Sequence, residues 1–139
     1  MSDLIFVYGT LLSEVPSAAS KWLHQHAQLL GEVSFPGAIY DLGSYPGFVS
    51  VPSAADLVLG EVYQLHDAVQ AFQYLDKYEG VEEREPQYRR EELAHPDHGA
   101  VWTYIYQGET KDLPLIVGGD YRNYYEQQAG HRLFIRGKV

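Results

Sequence analysis

Seven short apolar segments bounded by turn residues constrain the fold of this chain more than any other feature. They are rich in β-branched and aromatic residues, so we interpret them as strands. The segments are Leu4 to Tyr8, Gln28 to Ser34, Ala38 to Leu42, Phe48 to Val51, Leu57 to Leu65, Gln87 to Leu93 and Val101 to Gln107. Turn chemistry separates several of them, at Phe35-Pro36-Gly37, Gly43-Ser44-Tyr45-Pro46-Gly47 and His95-Pro96-Asp97-His98-Gly99. So many short strands favour a sheet that closes into a barrel.

Helical patterns are fewer than strand patterns. We predict helices from Ser17 to His26 and from Asp67 to Tyr78, with Asp67 as an N-cap, and a shorter one from Tyr121 to Gln128. Many strands and few helices predict the α+β class, with a mixed, largely antiparallel β-barrel flanked by a few α-helices. The 139 residues fit one domain, 1–139, and the 45% of apolar residues supports a core.

The charge of the chain argues against one class of partner. A net charge of -9 is unsuited to nucleic acid, where affinity comes mainly from cationic contacts to phosphate. The basic stretch from His131 to Lys138 is too short for a nucleic-acid patch, and we expect it to solvate the terminus.

The residue inventory also argues against cofactors and membranes. The chain has no cysteine, His24 and His26 point to different faces of a predicted helix, and His95 with His98 has no obvious third ligand, so we expect no metal site. No apolar run reaches the length of a membrane span, and Met1-Ser2-Asp3 lacks the basic start of a secretory signal. We therefore expect a cytoplasmic protein without a cofactor.

Glu79 is the strongest candidate for a catalytic residue. It follows the apolar residues Val69, Phe72 and Leu75, which recur at helical spacing, so a helix that persists to this point directs its carboxylate toward the core. Gly80 is a typical helix stop, and burial together with the negative helix end would raise the pKa of the carboxyl, which suits a general base. The alternative is that the helix ends at Tyr78 and that Glu79 is one more solvated acid in the acidic stretch from Asp76 to Glu92.

The second candidate site follows the first predicted strand. Gly9 allows a tight turn and a close approach to a ligand, and the amide groups of Gly9, Thr10 and Leu11 are then available to an anion or oxyanion. The alternative is an ordinary turn at the end of a strand.

Six short motifs, taken together, resemble the gamma-glutamylcyclotransferase family. The resemblance runs from Leu4 to about Arg122. The motifs are Phe6-Val7-Tyr8-Gly9-Thr10-Leu11, Tyr45-Pro46-Gly47, Gly60-Glu61-Val62-Tyr63, Leu75-Asp76-Lys77-Tyr78-Glu79-Gly80, Tyr88-Arg89-Arg90 and Gly118-Gly119-Asp120-Tyr121-Arg122.

The resemblance implies a mixed barrel with helices outside it, and release of 5-oxoproline from a gamma-glutamyl amine or peptide without a cofactor. Glu79 matches the catalytic glutamate of that family, and Tyr8, Gly9, Thr10 and Leu11 match its substrate-binding loop. Two alternatives stay open at this point: a binding module on the same fold, and hydrolysis of the gamma-glutamyl bond by water.

Overall fold

The computed structural model describes residues 2–137, which form six strands and four helices. In chain order these are β1 (Leu4–Val7), α1 (Ala18–His26), β2 (Ala27–Asp41), β3 (Pro46–Ser50), β4 (Leu57–Leu65), α2 (Ala68–Glu79), β5 (Tyr88–His95), β6 (Gly99–Tyr106), α3 (Tyr121–Gln127) and α4 (Ala129–Gly137). None of the described helices is long and apolar enough to cross a membrane.

The six strands form one sheet in the order β3-β2-β4-β1-β6-β5. Every pairing is antiparallel except that of β1 with β6, which is parallel. The two edges of the sheet approach each other. The edge strand β3 lies against β6, and the hydroxyl of Tyr88 on the other edge strand, β5, donates to the carbonyl of Pro46 on β3 at 2.6 Å. The sheet is therefore a nearly closed, mixed barrel, which confirms the predicted fold class.

One predicted turn is wrong. Phe35-Pro36-Gly37 does not separate two strands but lies inside β2, which pairs with both β3 and β4. Gly37 has a φ of 146°, and a Cβ there would lie 2.2 Å from the carbonyl oxygen of Val49 on β3. Proline and glycine thus let a long strand bend and pack closely against its neighbour instead of reversing the chain.

Helix α2 extends one residue beyond its predicted end and places Glu79 in its last turn. Asp67 is its N-cap as predicted, and Gly80 ends it in the left-handed conformation, with a φ of 72°. Phe72 and Leu75 are buried, but Val69, predicted on the same face, is 63% exposed. With 3.6 residues per turn, Val69 lies on the opposite side of Phe72 from Leu75, whereas Glu79 falls between Phe72 and Leu75.

The sequence patterns miss helix α4. We expected the basic stretch from His131 to Lys138 to be solvated; Lys138 lies outside the described residues, and His131 is only 1% exposed. His131 and Ile135 share one buried face of α4, four residues apart. A histidine counts as polar in a hydropathy pattern, so this face could not be recognised from the sequence.

Candidate functional site

A cavity of about 230 Å³ lies between the end of α2 and the loop that follows β1. Its lining residues come from every part of the chain and are Phe6, Val7, Tyr8, Gly9, Thr10, Leu11, Tyr45, Pro46, Tyr78, Glu79, Gly80, Glu83, Gln87, Tyr88, Tyr104 and Phe134. The structure thus brings together all five predicted site residues, Glu79 and Tyr8 to Leu11, although they lie about 70 positions apart in the sequence.

The helix end at Gly80 determines where Glu79 points. The backbone amide of Gly80 donates to the carbonyls of Asp76 and Lys77, so α2 does not fray at Tyr78. Glu79 is half-buried and lines the cavity. Of the two interpretations of Glu79, the structure supports a carboxylate on the buried face of a helix and not a fully solvated one.

Four tyrosines of the cavity wall lie near enough to Glu79 for its charge to act on their hydroxyl groups: Tyr8, Tyr78, Tyr88 and Tyr104. Burial is the main cause that raises the pKa of each hydroxyl, and the negative charge of Glu79 raises it further in all four. The pKa of Tyr78 is raised to about 12. These hydroxyl groups therefore keep their protons throughout the neutral pH range.

Hydrogen bonds fix three of these tyrosine side chains. Tyr8 donates to the carbonyl of Tyr104 at 2.8 Å, and Tyr88 donates to the carbonyl of Pro46. Tyr104 donates to Asp76 at 2.7 Å. Asp76 also accepts from the guanidinium of Arg90 at 2.9 Å, so the last turn of α2 is held against β5 and β6. These hydrogen bonds hold the cavity wall in place without a ligand.

The loop after β1 is held by its own carbonyl groups. The amide of Leu12 donates to the carbonyl of Gly9 at 3.0 Å, and the hydroxyl of Ser17 donates to the carbonyl of Thr10 at 2.6 Å. The hydroxyl of Ser20 donates to the carbonyl of Leu12 at 2.8 Å. Since C=O and N–H point in opposite directions across a trans peptide, the amides of Thr10 and Leu11 point away from these bonds.

Close packing gives a reason for glycine at position 9 that the sequence did not show. We expected Gly9 to allow a tight turn and a close approach to a ligand, and it does so without a positive φ. A Cβ at this position would lie 2.6 Å from Cγ of Pro46, which is closer than real Cβ contacts. Gly9 therefore allows the loop to pack against β3, and the loop is joined to α2 by a 2.8 Å hydrogen bond between Thr10 and Tyr78.

Sequence patterns did not identify several residues at this site. Ser13 and Glu61 form one such pair: the carboxylate of Glu61 accepts from the amide of Ser13 at 2.8 Å and from its hydroxyl at 2.6 Å, which holds the far end of the loop. The sequence did contain an indication of this pair, because Glu61 interrupts the apolar pattern of β4. In the structure Glu61 is only 4% exposed. Buried carboxylates need partners, so such a residue indicates an unseen donor.

Tyrosine content alone did not indicate which rings would face the cavity. The chain has twelve tyrosines, and five of them line the cavity: Tyr8, Tyr45, Tyr78, Tyr88 and Tyr104. Tyr40, Tyr63, Tyr74 and Tyr106 are not among its lining residues. Two of the motifs that resemble the family carry ion pairs outside the cavity lining: Arg89 pairs with Glu91, and Asp120 pairs with Arg122.

Phe134 reaches the cavity because a buried polar network anchors α4. The ring of His131 is hydrogen bonded to Asp41 on β2 at 2.9 Å and to the hydroxyl of Tyr121 on α3 at 2.7 Å. Tyr124 donates to the other carboxylate oxygen of Asp41. The network therefore joins α3 and α4 to the end of β2 and fixes one wall of the cavity.

We expect the thermal stability of Asp41→Asn to depend less on pH in the acid range than that of the wild type. Burial alone would raise the pKa of Asp41, but hydrogen bonds from Tyr124, Gly43 and His131 outweigh it and lower the pKa below 3.8. A lowered pKa means that this stabilisation is complete above pH 3.8 and is lost as the pH falls through the native value.

The measurement is thermal unfolding between pH 6 and pH 2.5. The wild type should lose stability more steeply than Asp41→Asn at the acid end, and the exposed Asp112→Asn variant should follow the wild type. If stability fell with pH equally in the wild type and in Asp41→Asn, the proposed role of the Asp41 carboxylate in holding α4 would be contradicted.

Among residues 2–137 there is no group of three or more histidine, aspartate or glutamate side chains placed to hold a metal ion.

The sequence matches one protein family over most of its length. Residues 5–123 match the model of the family described as gamma-glutamyl cyclotransferase, AIG2-like. A protein of Vibrio cholerae named "Putative gamma-glutamylcyclotransferase" is 39% identical over 123 residues, which cover 87% of this chain and 96% of that protein.

Solved structures share the fold. The protein ytfP of Escherichia coli superposes with a TM-score of 0.62 at 37% identity, over 85% of this chain and 95% of that one. An uncharacterized protein of Pyrococcus horikoshii superposes with a TM-score of 0.69 at 22% identity, over 91% of this chain and 95% of that one. The latter similarity concerns the fold alone.

Proposed function

The chain belongs to the gamma-glutamyl cyclotransferase, AIG2-like family, and on this premise we propose that it releases 5-oxoproline from a gamma-glutamyl amine or peptide. Family membership and the name of the Vibrio cholerae relative support gamma-glutamylcyclotransferase activity in general. The observation that carries the finer proposal is that Glu79 and the loop from Tyr8 to Leu11 line one cavity.

The reaction needs no nucleophilic side chain. In a gamma-glutamyl compound, the α-amine and the γ-carbonyl belong to one molecule, and attack of the first on the second closes a five-membered lactam. The enzyme must hold the folded conformer, remove a proton from the α-ammonium, stabilise the tetrahedral oxyanion and return a proton to the leaving amine. Holding reacting groups in this way can supply several kcal/mol of the barrier.

Glu79 is the group best placed for both proton steps. The surrounding tyrosines keep their protons near neutral pH, so they do not compete as bases. Of the carboxylates that line the described cavity, Glu79 is half-buried beside these hydroxyls, whereas Glu83 is exposed. We assign to Glu79 the roles of general base toward the α-ammonium and then general acid toward the leaving amine.

The loop from Tyr8 to Leu11 is proposed to bind a negatively charged oxygen of the substrate. The carbonyls of Gly9 and Thr10 accept hydrogen bonds within the protein, and the amides of Thr10 and Leu11 point the opposite way. Such amides can serve the oxyanion or the α-carboxylate of the substrate. Because Ser17, Ser20 and Tyr78 hold the loop, these donors are positioned before the substrate arrives.

The test of the proposed function is product analysis in water enriched in oxygen-18. We expect purified protein and a panel of gamma-glutamyl amines and dipeptides to yield unlabelled 5-oxoproline, because cyclisation takes no oxygen from water. Glutamate labelled in its γ-carboxylate would identify hydrolysis instead. Binding without any product across the panel would identify a binding module on this fold.

A further inference from the structure

Arg90 is a cation held between the sheet and helix α2. Its side chain is only 22% exposed, and its guanidinium carbon lies 4.0 Å from the ring centre of Phe72 on α2 and 4.5 Å from that of Trp102 on β6. Arg90 lies on β5, directly opposite Tyr104 on β6. Aromatic faces attract a guanidinium, so these two rings fix the position of the charge.

The ion-pair partner of Arg90 is Asp76, which lies on α2 one turn before Glu79. Nε of Arg90 donates to one carboxylate oxygen of Asp76 at 2.9 Å, and Nη2 donates to the other at 3.4 Å. Nη1 is buried and has no hydrogen-bond partner among residues 2–137. A buried donor without a partner costs stability, so stability alone is a poor explanation of this arginine.

Asp76 also accepts the hydroxyl proton of Tyr104, at a distance of 2.7 Å between the two oxygens. As the ion-pair partner of an arginine, Asp76 is a carboxylate and has no proton to donate, so the proton in this bond belongs to Tyr104. Burial, followed by the charge of Asp76, raises the pKa of the Tyr104 hydroxyl, which therefore keeps that proton. The Tyr104 oxygen can consequently only accept further hydrogen bonds.

The direction of this proton bears on Glu79. Three charged groups act on the Tyr104 hydroxyl: Asp76 and Glu79 on α2, and Arg90 on β5. A hydroxyl has one proton, and here it is directed at Asp76, so the oxygen presents its negative end to the other surroundings of Tyr104. A hydroxyl proton directed at Glu79 would instead stabilise the charged carboxylate and make it a weaker base.

We propose that Arg90 is a positioning residue for the proposed reaction: it holds Asp76 as the acceptor of the Tyr104 proton and thereby keeps that proton away from Glu79. Arg90 does not line the cavity, so it acts on the chemistry only through the other two side chains. This inference rests on the proposed function, because it concerns the basicity of the group assigned to both proton steps.

The double substitution Arg90→Met with Asp76→Leu tests the proposal without changing the net charge. Replacing both members of a buried ion pair by apolar side chains is often neutral for stability. The Tyr104 hydroxyl then loses its acceptor and can direct its proton at Glu79.

We expect the acid limb of the pH profile of kcat/KM to move to lower pH by about one unit in the double variant, because a hydrogen bond to the charged form lowers the pKa of a carboxyl. On the plateau, kcat should fall about three- to tenfold, since a weaker base accepts the α-ammonium proton more slowly. An acid limb at the wild-type pH would overturn the proposal.

Tyr104→Phe shows whether the effect passes through the hydroxyl. In the absence of that hydroxyl, the double substitution should leave the position of the acid limb unchanged, because the two changes then lack the group that couples them. An equal shift with and without the hydroxyl would overturn the proposal. The matched control is Arg89→Met with Glu91→Leu, which removes an exposed ion pair from the same strand and should keep the wild-type profile.

A titration without turnover separates failure of this inference from failure of the proposed function. NMR of carbon-13-labelled glutamate carboxyl groups, with the Glu79 signal identified by its loss in Glu79→Gln, should show the same downward shift in the double variant. If the wild type makes no 5-oxoproline but this shift occurs, the proposed reaction fails and the role of Arg90 in setting the basicity of Glu79 stands. If the wild type makes 5-oxoproline and the signal titrates alike in both proteins, only this inference fails.

A neutron crystal structure of the wild type tests the same arrangement without any substitution, and so decides the case if the double variant does not fold. We expect the deuteron of the Tyr104 hydroxyl to lie between its oxygen and Asp76. A deuteron directed at Glu79 would overturn the proposal.

Discussion

Glu79→Gln should lower kcat by about 10²–10⁴-fold, the range that general acid–base catalysis typically contributes. The substitution keeps the size of the side chain but removes the group that accepts the α-ammonium proton and returns one to the leaving amine. Because Glu79 is half-buried at the end of α2 and its neighbours are protonated tyrosines, the described cavity wall offers no equivalent base at that position. Substrate affinity should persist.

Three measurements separate this result from a damaged fold. Thermal unfolding should show that Glu79→Gln is folded, and calorimetric titration should show that it binds a gamma-glutamyl compound. Glu82→Gln removes a carboxylate three residues further along the chain, at an exposed position outside the cavity, and should keep wild-type turnover. Near wild-type activity in Glu79→Gln would remove Glu79 from the chemistry.

Gly9→Val should reduce kcat/KM by about two to three orders of magnitude, since loss of one positioned oxyanion donor costs on the order of 3–4 kcal/mol. A Cβ at position 9 would lie 2.6 Å from Cγ of Pro46, so the loop must move away from β3. Overpacking of this kind also costs about 1–3 kcal/mol of stability. Both effects displace the amides of Thr10 and Leu11 from their positions at the cavity.

A double variant identifies the cause of the Gly9 effect. Gly9→Ala should lose activity for the same reason as Gly9→Val, and adding Pro46→Ala removes the colliding Cγ and should restore part of it. Gly130→Ala is the matched control, because a Cβ there meets nothing closer than 4.0 Å. If Gly9→Val binds and turns over substrate like the wild type, the loop has no role in recognition.

Much of the fold was predictable because strand and helix patterns are local. The predicted strand from Leu57 to Leu65 has the observed bounds of β4, and the other strand and helix ends agree within about two residues except at β2 and α4. The turn predicted at Phe35-Pro36-Gly37 was wrong because a Pro-Gly pair also permits a bent strand. The pairing of this segment with β3 and β4 distinguishes the two.

A residue of the candidate site was predictable only where the pattern within one short segment is enough to place it. Glu79 could be assigned to the core-facing side of α2 from its spacing to Phe72 and Leu75. The rest of the cavity wall could not, since Tyr45, Tyr104 and Phe134 line the cavity only after the barrel has formed and α4 has docked. Periodicity indicates which face of an element is buried, but it does not indicate what packs against that face.

The most direct test of the account is a crystal structure of Glu79→Gln with an intact gamma-glutamyl compound bound. We predict that the α-amine nitrogen lies within about 3 Å of the side chain at position 79, the reach of a general base. We also predict that a substrate oxygen accepts from the amides of Thr10 and Leu11, and its identity will show whether they bind the γ-carbonyl or the α-carboxylate. A compound bound outside this cavity, or with its α-amine directed away from position 79, would contradict the proposed function.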